Sequence, residues 1–109
     1  MKKDIPVTGS SGNAFADIGL SNPEEHLLKA DIALLIGKTI QQRNLTQTAA
    51  AELIGLSQPD VSNLLRGRFR GFSLERLLGF LVKLGHNVTI AVEPANRNTP
   101  EGRLRLAHA

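Results

Sequence analysis

The chain has 109 residues, a formal net charge of +3 at pH 7 and 41% hydrophobic content, with four phenylalanines and neither tryptophan nor tyrosine. This fits one small domain with an aliphatic core of helices packed on helices, at a size where a second copy is a reasonable source of extra burial. With no cysteine, disulfides, thiolate metal sites and a cysteine nucleophile are excluded.

Residues 1–21 are rich in Gly, Ser, Asn and Asp and lack a sustained period. They read as an extended, partly mobile N-terminal segment, with Phe15, Ile18 and Leu20 as anchors. The two lysines at the start have no apolar run behind them, so a signal peptide is not expected. "NPEEHLLKADIALLIGKTIQQR" from Asn22 has a capping Asn22, Pro23 in the first turn, and Glu24 and Glu25 at the positive helix end. Leu28, Ile32, Leu35, Ile36 and Ile40 follow helical spacing, which predicts a helix to about Arg43. Its apolar run "IALLIG" at 32–37 is far too short to span a bilayer, so no membrane partner is expected.

Asn44 and Leu45 break this helix, and Thr46 caps a second one, "QTAAAELI" at 47–54, ended by Gly55. Ser57 caps a third, with Asp60 three residues on as in a capping box. Pro59 falls in its first turn, where backbone N–H groups lack intrahelical partners, and Gly67 closes it. Ser73 caps a fourth helix at 74–84, with an apolar stripe of Leu74, Leu77, Leu78, Leu81 and Leu84 before Gly85. "HNVTIAVEP" alternates, placing Val88, Ile90 and Val92 on one strand face until Pro94 stops it. A lone strand leaves its backbone unpaired, so it needs either the N-terminal "IPV" or its twin in a second chain. The twin is preferred, because symmetric pairing also enlarges a small core. The domain plan is therefore an N-terminal segment at 1–21, a helical domain with its strand at 22–93, and a loose polar tail at 94–109. The fold class is mainly α, with four to five helices and one short C-terminal strand paired across a homodimer.

Charge is distributed unevenly along this plan. Residues 1–31 hold three lysines against five acids, whereas residues 32–92 hold seven Lys/Arg against three. Three arginines crowd into "RGRFR" at 66–70. A basic middle points to a polyanion, and an acidic front points to a separate task.

The helix–Gly-Leu-Ser–helix arrangement at 47–66 is a helix-turn-helix pattern. Ala50, Leu53, Leu56, Val61 and Leu64 let two short helices cross steeply, and the alanines at 49–51 allow close approach. The outer face of the third helix then collects Gln58, Pro59, Ser62, Asn63 and Arg66. Gln and Asn amides can form paired hydrogen bonds with a base edge in the major groove.

"LTQTAAAELIGLSQPDVSNLLRGR" resembles the phage-repressor/Cro-like (XRE) family of regulators. More narrowly, "SGNAFADIGL" and "EEHLLKADIAL" together with "FSLERLLGFLVKLGHNVTIAV" resemble the HigA-like antitoxin branch, over roughly residues 10–93. The resemblance implies that Gln47 touches a phosphate and buttresses the reading helix. It implies that Gln58, Ser62 and Asn63 face bases, while Thr46, Ser57, Arg66, Arg68 and neighbouring Arg70 grip the backbone. Pro59 stands where relatives often carry a polar reader and offers only apolar contact, for example to a thymine methyl. The implied partners are double-stranded operator DNA, a second copy of the chain and a toxin protein, in the cytoplasm and without a cofactor. A stand-alone regulator, or a protein that chiefly masks a toxic RNase, are the alternatives.

The remaining residues carry blander expectations. Phe69 and Phe72 seal the core beneath the arginine loop. His26, His86 and His108 lie on the surface, without acidic companions at metal-ligand spacing. Gly37 and Gly79, inside helices, mark close helix contacts. No Walker loop, dinucleotide fingerprint, hydrolase elbow or acid–base pair is present, so no enzymatic activity is expected.

Overall fold

The computed structural model describes residues 3–6, 22–95 and 102–107. Its elements in chain order are β1 (Lys3–Pro6), α1 (Asn22–Gln42), α2 (Gln47–Ile54), α3 (Gln58–Leu65), α4 (Leu74–Lys83) and β2 (Thr89–Val92). The expected anchors Phe15, Ile18 and Leu20, the histidine at 108 and residues 96–101 of the tail fall outside the described residues.

Each short helix begins at a hydroxyl cap. Thr46, Ser57 and Ser73 hold extended backbone and accept from the N–H groups of Ala49, Asp60 and Arg76 respectively. Such a cap satisfies one of the helix's orphan donors and contributes about 1 kcal/mol. The connections turn where the chain adopts positive φ, at Asn44 (55°), Gly55 (78°), Gly67 (87°) and Gly85 (100°).

The core is mainly aliphatic, with Phe69 and Phe80 added, and draws on all four helices of the described residues. Ile32 and Ile36 of α1, Ile54 of α2, Val61 and Leu64 of α3, and Leu77 of α4 are essentially excluded from solvent, as is Leu84 just after α4. α1 packs on α4 and α3, while α2 packs on α3 and α4. Gly37 has the close contact expected of it: a Cβ there would meet Leu65 at 3.4 Å, where α1 crosses α3. Gly79 does not, since a Cβ there would meet nothing within 4 Å.

Polar contacts tie the helix ends together. Arg43 donates from Nη1 to the Leu84 carbonyl at 2.7 Å, and Lys83 reaches the Ile54 carbonyl at 3.4 Å. Buried Thr39 donates to the Leu35 carbonyl at 2.8 Å, leaving its oxygen to accept from His86 Nε2 at 2.8 Å. His86 is thus half-buried and bonded to α1, not the free surface residue expected. His26 is exposed and lies 5.0 Å from the ring of Phe69.

Two corrections concern the chain ends. β2 finds its backbone partner in its own chain: β1 runs antiparallel to it, with Ile5 opposite Ile90 and Lys3 opposite Val92. The twin-strand pairing expected at Val88, Ile90 and Val92 therefore lacks its motive, because the N-terminal alternative already satisfies that edge. Nor is the whole tail loose. Leu104 and Leu106 are half-buried against the core, in a groove shared with Leu28, Ile32, Leu74 and Leu78. Leucines two apart in an extended segment share a face, which lets both turn inward.

Candidate nucleic-acid interface

The α2–α3 unit is positioned from both ends. Ala50 and Ala51 are buried, and with no longer side chains they let α3 approach α2 closely. Gly55, left-handed, donates its N–H to the Ala51 carbonyl at 2.9 Å, and Leu56 donates to the same carbonyl at 3.0 Å. The chain reverses in two residues before Ser57 starts α3. Val61 and Leu64 then drive the inner face of α3 into the core, Val61 at 0% and Leu64 at 1% exposure.

The opposite face follows from the same periodicity. Gln58, Pro59 and Arg66 are exposed, and Ser62 and Asn63 are half-buried. Gln58 donates from Nε2 to Gln47 Oε1 at 2.8 Å, linking the first residue of α2 to the first of α3. This bond joins two short exposed helix starts and restricts the Gln58 rotamer. It leaves Gln58 with its oxygen and one amide hydrogen, the pair that matches the N6/N7 edge of adenine. Pro59 lies in the first turn, where it costs no helical bond.

Beyond α3 the chain is held by backbone bonds while its charges stay outside. Arg66 donates to Ser62 and Asn63 carbonyls at 3.1 Å, and Arg68 donates its backbone N–H to the Asn63 carbonyl at 2.9 Å. Phe69 is buried between exposed Arg68 and Arg70, pinning the loop so that the arginines stand out. Phe72 packs edge-on to Phe80 at 5.7 Å, with the Arg76 guanidinium 5.1 Å above its ring. The phenylalanines thus seal the loop to the core, as their apolar character suggested.

Of the ten expected interface residues, the structure places all on the α2–α3 unit or the loop behind it, with two refinements. Thr46 and Ser57 spend their side-chain oxygens on capping, so only their hydroxyl hydrogens remain for a phosphate. Asn63 accepts from Arg68 Nη1 at 3.4 Å, which couples an expected base reader to an expected backbone contact. No pattern of one-letter spacing reveals that coupling, because it depends on the turn at Gly67 folding the loop back. No group of three or more His, Cys, Asp or Glu residues suited to a metal ion occurs among the described residues.

Comparison with known proteins agrees with this geometry. Residues 14–93 match the family model described as a helix-turn-helix domain. A solved XRE family transcriptional regulator superposes with a TM-score of 0.77 at 32% identity, covering 82% of this chain and 100% of the other. No curated protein matches. The family match spans most of the chain and the structural relative is matched over its full length, so this protein belongs to the XRE helix-turn-helix family.

Proposed function

We propose that the protein is a sequence-specific transcriptional repressor that autoregulates its own operon as a homodimer. α3 enters the major groove, with Gln58, Ser62 and Asn63 reading base edges and Pro59 touching a thymine methyl. Gln47, Thr46, Ser57, Arg66, Arg68 and Arg70 hold the phosphate backbone on either side. Two copies address half-sites about 34–36 Å apart, or a multiple of that spacing. Repression is by occupancy: a bound dimer covers the promoter and no bond is made or broken. Such work places the protein in the cytoplasm with the DNA.

The observation that carries this reading is the Gln47–Gln58 bond at the exposed start of α3, with three exposed arginines directly behind the same helix. A merely solvated helix face has no need of an amide held in register by a second helix. Gel-shift titration on the protein's own promoter DNA, over a range of salt, tests it. Binding should weaken steeply as salt rises; salt-insensitive or absent binding would overturn the reading.

The acidic first third of the chain favours an additional role. With three lysines against five acids over residues 1–31, it offers charge complementary to a basic protein such as a toxic RNase. The protein would then be the antitoxin of a toxin–antitoxin pair. Co-expression with the product of the adjacent reading frame tests this, since an antitoxin should co-purify with it and rescue growth. A solitary gene, or no complex, leaves a stand-alone regulator.

A further inference from the structure

His26 and Lys29, in the first turns of α1, belong to neither α2 nor α3, yet they stand against the arginine loop. With Glu25 they line one cleft together with Phe69 and Arg70. The loop itself is lightly held. Gly67 and Gly71 bound it, and a side chain at either would meet nothing within 4 Å, so no neighbour restrains the backbone at these two points. Between them only Phe69 enters the core, while Arg68 and Arg70 are exposed. The Asn63 carbonyl accepts from the Arg68 N–H at 2.9 Å, and the Phe69 carbonyl accepts from the Phe72 N–H at 3.0 Å. Arg68 also has its side-chain tie to Asn63. Arg70 makes no hydrogen bond or ion pair among the described residues, so its place is set through its neighbour Phe69.

We infer that the first turns of α1 position Arg70 for its phosphate: His26 does so by holding Phe69, and Lys29 by keeping Glu25 occupied. The His26 ring lies 5.0 Å from the Phe69 ring, tilted by 39°. Its apolar body covers Phe69 while its polar edge stays at the surface, a combination that an aliphatic side chain lacks. With Phe69 held from α1 as well as from the core, the residue that follows it has a fixed origin from which to reach a phosphate. Lys29 acts by charge. Its Nζ pairs with Glu25 Oε1 at 3.6 Å, one helical turn away. Without that lysine the Glu25 carboxylate would stand unpaired in the cleft it shares with Arg70. It would then draw the guanidinium from the DNA and repel an incoming phosphate. A partly exposed ion pair adds little to stability, so the consequence of this one lies in what it denies to Arg70.

This inference rests on the DNA-binding reading, and titration of full-chain variants on the protein's own promoter DNA, well below the melt of each variant, tests the two separately. Arg70→Ala should reduce the salt slope by about one unit. His26→Ala should reduce it by a similar amount, and His26→Phe, which keeps the ring, should restore it. Lys29→Ala should weaken binding, and adding Glu25→Gln should recover it. Because both residues act through Arg70, combining His26→Ala or Lys29→Ala with Arg70→Ala should weaken binding no further than Arg70→Ala alone. A residue that only stabilised the fold would lower Tm and leave DNA binding below the melt unchanged. A wild-type chain without salt-sensitive DNA binding overturns the DNA-binding reading and the positioning role together. If the wild-type chain binds while His26→Ala and Lys29→Ala match it, or their losses add in full to that of Arg70→Ala, only the positioning role is overturned.

Discussion

Gln58 and Asn63 are both amides on the outer face of α3, but their neighbours give them different freedom. Gln58 is steadied by Gln47, whereas Asn63 shares its oxygen with the Arg68 guanidinium. Replacing Asn63 by alanine should lower discrimination at one base position by about 1–3 kcal/mol, measured by titrating single-base variants of the operator. Arg68→Ala should weaken all sequences alike and reduce the salt slope by about one unit. Because the two side chains touch, their effects should not add: a double-mutant cycle should return a coupling of about 0.5 kcal/mol or more. Simple additivity would mean that Asn63 and Arg68 act on DNA independently.

Among the elements, the turn at Gly55 and the β1–β2 pair are the most informative. Gly55 sits at φ 78°, and a Cβ there would meet only Lys83 Nζ at an ordinary 3.6 Å. The penalty for Gly55→Ala is thus conformational and not steric, about 1–2 kcal/mol by denaturant unfolding. DNA affinity should fall by more than that loss of folded population explains, because the turn sets the angle of α3. For β2, the paired register predicts a different outcome than an orphan strand would. Ile90→Pro breaks pairing with Ile5 of the same chain. Sedimentation should therefore show an unchanged association state, with lower thermal stability as the visible consequence. A shift to monomers would return the dimer contact to the strand.

At the scale of the molecule, the α2–α3 unit owes its placement to α1 and α4, which carry no expected base contact. α1 spans 21 residues and meets both α3 and α4, while Arg43 and the Thr39–His86 pair tie its C-terminal half to the segment after α4. Leu104 and Leu106 extend that scaffold from the far end of the chain. Substituting both by alanine should lower stability by about 1–2 kcal/mol, consistent with half-buried leucines. Thermal melts would read this loss, and DNA affinity below the melt should be unchanged, since the groove they occupy adjoins α1, α4 and β2. No described helix is long and apolar enough to cross a membrane, as the short run at 32–37 implied.

Much of this was legible from residue order. Hydroxyl caps at Thr46, Ser57 and Ser73, glycines at 55, 67 and 85, and leucine spacing mark the helices within a residue or two, because capping and periodicity are local. The outer face of α3 was legible for the same reason, since the buried positions Val61 and Leu64 leave Gln58, Ser62 and Asn63 on the other side. Only the tertiary structure decided what depends on distant segments meeting. It paired β2 with Lys3–Pro6, brought Leu104 and Leu106 back to the core, and seated His86 on Thr39 across 47 positions of chain. It also separated two glycines that look alike in sequence. Gly37 faces Leu65 across a helix crossing, whereas Gly79 faces open space, and which neighbour a helical position meets is set by packing geometry, not by the residues beside it in the chain.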